Sequence, residues 1–154
     1  MAITTWSGAL TLISALALGG CSGAGQPANP GLNEGRFAPC PDSPNCVSSQ
    51  ASAESQRVEP LRYNGDAVQA QSRLLMALNG MQRVRIERTD EGYIHAVFRS
   101  ALLGFEDDVE FHFDSTGAIQ VRSASRVGYS DFGVNRQRVE DIRTRFAATA
   151  GATP

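Results

Sequence analysis

Two stretches of alternating side chains, each interrupted by a polar tetrad that ends in Gly, do most to limit what this chain can fold into. They read VRIER-TDEG-YIHAVFRS, Val84 to Ser100, and DVEFHF-DSTG-AIQVRSAS, Asp108 to Ser125. Alternation over four to eight residues marks strands with one buried face. A Gly at the end of the tetrad supplies the positive φ that a type I turn with a Gly bulge needs. In the second hairpin such a loop closes Asp114 on Ala118. That register sets Phe113 opposite Ile119, Phe111 opposite Val121 and Val109 opposite Ser123, while Glu110 meets Arg122 and Glu106 meets Arg126 on the other face. Apolar residues thus oppose apolar ones and charges oppose countercharges. The first hairpin, closing Thr89 on Tyr93, aligns Val84 with Phe98, Ile86 with Ala96 and Glu87 with His95. Four strands form an antiparallel meander.

Helical periodicity flanks the meander. Asp66 stands at an N-cap position before AVQAQSRLLMALNG, in which Val68, Leu74, Leu75 and Leu78, with Ala67 and Ala70, share a face and Asn79-Gly80 stops the helix. A second helix runs from Asn135, read as its N-cap, to about Thr149, with Val139, Ile142 and Phe146 as its apolar stripe. RVEPLRY, Arg57 to Tyr63, suits an edge strand because Pro60 cannot donate to a ladder. The expected fold is α+β: a two-layer sandwich of a four- to five-stranded antiparallel meander with both helices on one face and a charged opposite face. The folded part is expected to start near Arg57.

The register carries one unexpected consequence. Asp107 falls on the same face as Val109 and Phe111, opposite Ser125, where an ionised carboxylate needs a charged partner or several donors. Arg136, Arg138 or the amides of the VGYSDFGVN loop are within reach of that position. Two readings follow. In one, Asp107, Ser123, Ser125, Arg126, Tyr129, Asp131, Asn135 and Arg136 line a ligand site in which arginines receive a small anionic group. In the other, the same residues form an internal network that pins the loop and last helix to the sheet end. An envelope hydrolase or other enzyme using Asp107, Asp131 and Arg126 is the catalytic alternative. No catalytic residue is assigned, because no nucleophile elbow, zinc motif, phosphate loop or dinucleotide fingerprint is present. No cofactor and no metal are called for; His95, His112 and Glu110 would make a surface metal site only if the two middle strands paired suitably, and a solvated charge ladder across the strands explains the same residues without a ligand. All 14 basic residues are arginine, and the net charge of -2 argues against nucleic-acid binding.

The N-terminal segment points to export. WSGALTLISALALGG, Trp6 to Gly20, is uncharged, apolar and short for a membrane span. LGGC, Leu18 to Cys21, resembles the lipobox of bacterial lipoproteins, although MAITTWSG lacks the usual Lys or Arg. The resemblance implies a lipid thioether on Cys21, with further acyl chains such as palmitate, and a membrane partner reached through that anchor. Ser22 after it fits sorting to the periplasmic face of the outer membrane. Residues 1–20 then read as a signal peptide, 21–37 as a flexible tether rich in Gly, Pro and Asn, 38–149 as the domain and 150–154 as a disordered tail. Cys40 and Cys46 remain as an even pair bracketing a turn-forming CPDSPNC, for which a structural disulfide is the expectation, with free thiols or a redox pair as the other readings.

Three passages, PCPDSPNCVSSQA, YIHAVFRSALLGFEDDVEFHFD and IQVRSASRVGYSDFGVNRQRVEDIR, are similar to the bacterial and plastid family known as DUF1499, a domain of unknown function. The resemblance covers about Ala38 to Phe146. It implies that the characteristic positions are Cys40, Cys46, Asp107, Asp108, Glu110, Arg122, Ser123, Ser125, Arg126, Gly128, Tyr129, Asp131, Asn135 and Arg136. It implies no activity, and the binding partner, whether ligand or envelope protein, and the oligomeric state are left open.

Overall fold

The computed structural model describes Met1 and residues 30–151. The lipobox, the signal peptide, the first part of the tether and residues 152–154 lie outside the described residues. The hairpins form as the alternation requires. Strands β1 (Leu32–Asn33) and β2 (Arg36–Phe37) pair with each other. They are followed by β3 (Cys46–Ser48), β4 (Leu61–Arg62), α1 (Ala67–Asn79), β5 (Val84–Asp90), β6 (Tyr93–Arg99), β7 (Glu106–Phe113), β8 (Ala118–Ser125) and α2 (Val134–Ala148). The main sheet is open and antiparallel, in the order β3-β8-β7-β6-β5, with β4 also on β8. Both helices pack on one face, giving the expected α+β sandwich.

The β7–β8 register is the one that side-chain alternation demands. Phe113 opposes Ile119, Phe111 opposes Val121, Glu110 opposes Arg122 and Asp107 opposes Ser125. The β5–β6 hairpin departs from expectation near its turn. Val84–Phe98 and Ile86–Ala96 pair as read, but the ladder shifts between Ile86 and Arg88, so that Arg88 rather than Glu87 faces His95 and Asp90 rather than Thr89 faces Tyr93. One extra residue is absorbed in the strand as a β-bulge, and the loop shortens to Glu91-Gly92, where Gly92 takes φ +71°.

Asp66 caps α1 by accepting from the Gln69 amide at 3.0 Å. The buried face is Ala70, Leu74, Ala77 and Leu78, with Leu75 partly covered. Val68 does not belong to it: it is 65% exposed, because at about 100° per residue it lies more than about 90° round the helix from the middle of the Ala70–Leu74–Ala77–Leu78 face. In α2, Val139, Ile142 and Phe146 enter the core as their spacing requires.

The fold begins well before Arg57. Strand β3 pairs with β8 (Cys46 opposite Ala124, Ser48 opposite Arg122) and is buried throughout. The β1–β2 hairpin falls inside the stretch read as tether. This segment straps the sheet face opposite the helices: the Gly31 amide donates to Glu110 Oε1 at 2.7 Å, and Gln50 holds both Gly35 O and the Phe37 amide. That face was expected to be charged and solvated. Instead Tyr93, Val97, Asp108 and Ala124 are buried, and Glu110 and Arg122 are fully so at 0% exposure. The Cys40–Cys46 disulfide (S–S 2.03 Å, Cα–Cα 5.6 Å) ties the end of the strap to β3.

The two sides of α1 should respond differently to truncation. Leu74→Ala empties a fully buried site and is expected to cost about 2–5 kcal/mol. Val68→Ser should stay within about 0.5 kcal/mol. Urea denaturation of both variants checks the assignment of the face.

Candidate functional site

Asp107 and Asp108 are adjacent in sequence, and the pleat of β7 sends them to opposite faces of the sheet. Each becomes the centre of a separate polar network. The predicted constellation is therefore divided by the sheet itself.

The inner network gathers on Asn135, buried in the first turn of α2. Its Oδ1 accepts from Ser123 Oγ at 2.5 Å and Arg138 Nη1 at 2.6 Å. Its Nδ2 donates to Asn45 O and Ser125 Oγ, both at 3.0 Å. Arg138 extends the network, donating through Nη2 to Asp107 Oδ2 and lying over the Phe98 ring at 5.0 Å. Of the two arginines that sequence offered to Asp107, Arg138 is the partner. Arg136 faces elsewhere, donating to Arg57 O at 2.8 Å and Ser55 O at 2.7 Å. Nor is Asn135 the N-cap. Gly133 occupies that position at φ +84°, and Asp131 supplies the cap, accepting from the Gly133 and Asn135 amides at 2.9 and 2.8 Å. Sequence reasoning missed Asn45, whose Nδ2 donates to Gly128 O at 2.6 Å and whose carbonyl accepts from Ser125 N at 2.9 Å. Its position beside Cys46 in the CPDSPNC loop was the available signal.

The outer network lies under and beside the strap. Arg126 stays on this face, forking onto both oxygens of Asp108 (3.0 and 2.8 Å) and onto Glu106. His95 Nε2 sits 2.8 Å from Asp108 Oδ1. Burial alone would push the Asp108 carboxyl up. Hydrogen bonds from His95 and Arg126, together with their charge, outweigh it and hold the pKa at about 2. Arg126 is shifted upward in turn, chiefly by its bond to Asp108. Further along, Glu110 accepts from Tyr93 Oη at 2.9 Å and from Arg122 Nη1 at 3.0 Å. Burial raises the Tyr93 phenol, and the Glu110 carboxylate raises it further. Arg122 keeps Nε and Nη2 without a hydrogen-bond partner among the described residues. His112 lies against Gly92 O at 3.3 Å, so Glu110, His95 and His112 each hold a different partner. Among the described residues no group of three or more His, Cys, Asp or Glu side chains is placed to hold a metal ion.

An apolar opening borders the inner network. The β6–β7 loop (100–105) and the β8–α2 loop (126–134) enclose a cleft of ≈ 260 Å³ walled by Leu102, Leu103, Phe105, Val127, Phe132 and Val134, with Asp107, Ser125 and Asp131 at its edge. The cleft is apolar apart from that edge. Tyr129 stands outside it and is 76% exposed. Of the residues read as a ligand site, Asp107, Ser123, Ser125 and Asn135 come together and Asp131 adjoins them. Arg126, Arg136 and Tyr129 are elsewhere.

Fold and site thus define an open-sheet α+β domain with two closed polar networks and an apolar cleft at one end of the sheet. The family described as "Protein of unknown function (DUF1499)" matches residues 36–146, and the chain belongs to that family. No curated protein matches it.

Two consequences are measurable. Asp107→Ala strands the buried Arg138 guanidinium and is expected to cost about 3 kcal/mol, the low end for breaking a buried pair, because Asn135 and Ser123 still accept from Arg138; thermal or urea unfolding reads it. Asp108 has a folded pKa below its unfolded value of 3.8, so its stabilisation is present above about pH 4 and is lost as pH falls towards 2. Between pH 5 and pH 2 the wild type should lose about 1–2 kcal/mol more than Asp108→Asn, by urea titration at each pH.

Proposed function

We propose that the protein is a lipid-anchored component of the cell envelope, attached through Cys21 at the periplasmic face of the outer membrane. Its domain is a non-catalytic binding module whose cleft receives an apolar group. The observation that carries the binding reading is the cleft itself. Its walls are hydrocarbon and aromatic, whereas the arginines required for an anionic ligand are engaged: Arg126 with Asp108 and Glu106, Arg136 with two backbone carbonyls. Pockets of a few hundred Å³ with apolar walls and a few convergent polar groups are the usual form of a small-molecule site.

The carboxylates named for catalysis support the non-catalytic reading. Asp107 is paired with Arg138, and both oxygens of Asp131 accept backbone amides of the α2 cap. Neither is placed as a free general base at the mouth of the cleft. The anchoring half of the proposal draws on the lipobox resemblance alone. Among the described residues no helix is long and apolar enough to cross a membrane.

The neutral fluorophore N-phenyl-1-naphthylamine tests the cleft in the full chain carrying Cys21→Ser. Leu103→Asp or Phe105→Asp should weaken its uptake at least about tenfold, the cost of placing a charge in an apolar site. Arg136→Ala should leave it within about twofold, since that arginine lies outside the cleft. Uptake indifferent to the cleft substitutions overturns this reading. Labelled palmitate should enter the wild-type chain in its bacterial host and be absent from Cys21→Ser.

A further inference from the structure

The cleft is the centre of a larger apolar surface. Leu102 is 92% exposed and Phe132 is 96% exposed, with Leu103, Tyr129 and Val127 also exposed on the same two loops. Large apolar side chains exposed singly are ordinary on a protein surface, but a cluster on paired loops marks an interaction site. The loops are built to hold these side chains outward. Phe132 takes φ +54°, left-handed backbone that an aromatic residue seldom adopts. It is kept there by its own amide on Ser130 Oγ (3.2 Å) and by the two amides that Asp131 caps.

Charge is distributed to match. Arg83 and Arg99 border the loop 100–105 side of this end, and among the described residues neither guanidinium has a carboxylate within 4.0 Å. Three nearby carboxylates are paired, Glu106 and Asp108 sharing Arg126 with Arg85 and His95 beside them and Asp107 holding Arg138; Asp141, on the same side as Arg83 and Arg99, accepts only from Gln137 among the described residues. At the far end of the sheet the turns carry Asp90, paired with Arg88, together with Glu91 and Asp114, and Arg62 stands opposite Ala118. The loop end is therefore apolar, with Arg83 and Arg99 at its rim. Basic side chains at the rim of an apolar patch, with an aromatic hydroxyl such as that of Tyr129 among them, suit the boundary between anionic headgroups and acyl chains.

We propose that loops 100–105 and 126–134 form a membrane-docking surface, seating in the headgroup–acyl boundary of the bilayer that carries the Cys21 lipid. This inference deepens the binding reading above and rests on it, naming the acyl region of that bilayer as the apolar partner. The chain outside the structure is long enough. Gly31 lies on Glu110, four residues from the start of β7 and so about 13 Å from the loop end. The ten residues from Cys21 to Gly31 reach up to about 35 Å. Anchor and loops can therefore engage one surface together, and the second contact becomes intramolecular once the first is made.

The test uses the full chain with Cys21→Ser and one further substitution, Phe132→Cys, Leu102→Cys or Glu91→Cys, labelled with an environment-sensitive nitrobenzoxadiazole dye. Cys40 and Cys46 are held in their disulfide. Vesicles contain phosphatidylethanolamine with a minority of phosphatidylglycerol, and the bound chain is recovered by flotation. Labels at 102 and 132 should shift to the blue and be quenched by lipids bearing a doxyl group on the acyl chain, and the label at 91 should do neither. Failure of the chain to float with the vesicles, or vesicle-bound chain with unchanged emission at 102 and 132, overturns the proposal. A shift that needs no vesicles and follows protein concentration also overturns it, and assigns the surface to a second copy of this chain. If naphthylamine uptake persists in any of these cases, the binding reading stands and only its membrane partner is lost.

Discussion

The side-chain amide of Asn135 is the joint on which the loop-bearing end of the molecule depends. An amide has two acceptor sites and two donor hydrogens, and here four partners use them: Ser123 and Arg138 on the carbonyl side, Asn45 O and Ser125 on the nitrogen side. These partners come from β8, from α2 and from the disulfide loop. An amide this deeply buried is costly unless its partners are in place. That requirement fixes the start of α2 against the sheet and locks the loop before it. Asp131 then completes the cap, and Gly128 is held by Asn45 at the other end of the same loop.

On the opposite face the governing constraint is a buried ion pair. Glu110 and Arg122 oppose each other across β7 and β8, which is the pairing that alternation requires, and neither is exposed. Dehydrating two charges is offset only when most of their bonding capacity is met. Glu110 meets its share through Tyr93, Arg122 and the Gly31 amide, whereas Arg122 keeps Nε and Nη2 without a partner among the described residues. The Gly31 amide comes from the strap, so the N-terminal segment is not an appendage but part of what makes the Glu110 charge tolerable. The disulfide holds the strap to β3 from its other end. The last part of the stretch read as tether is thus structure on the sheet.

How much of this was legible in the sequence follows from the range over which each signal acts. The β7–β8 register was readable because alternation, the DSTG turn and charge pairing all point to the same alignment. Helix α1 was readable from Asp66 and Asn79-Gly80. The bulge at Glu87 was not, since an extra residue on a polar strand end leaves the pattern unchanged. Strand β3 is three residues long and sits among Cys, Pro and Ser, too short for periodicity to show. The outward face was misjudged because charge was taken to mean exposure, and the covering strap has the composition of a linker. At the site, the period of two correctly put Asp107 inward with Ser123 and Ser125. The choice of Arg138 over Arg136 depended on where the helix begins. With Gly133 as cap, Asn135 and Arg138 lie three apart on one face, and Arg136 turns towards the segment 55–57.

The two networks and the cleft belong to one argument about rigidity. Exposed Leu102 and Phe132 gain nothing in the folded chain, and Phe132 is held in an unfavourable backbone region as well. A flexible loop before α2 would relax Phe132 by folding it inward. The loop cannot do so, because Asp131, Ser130 and Gly128 are each tied to backbone or to Asn45, and Asn45 is tied through Asn135 to the sheet. Preorganisation of this kind lowers the ordering cost when a partner covers the apolar surface. The polar residues first read as the site thus form a foundation beneath the apolar side chains, which are the ones left uncovered.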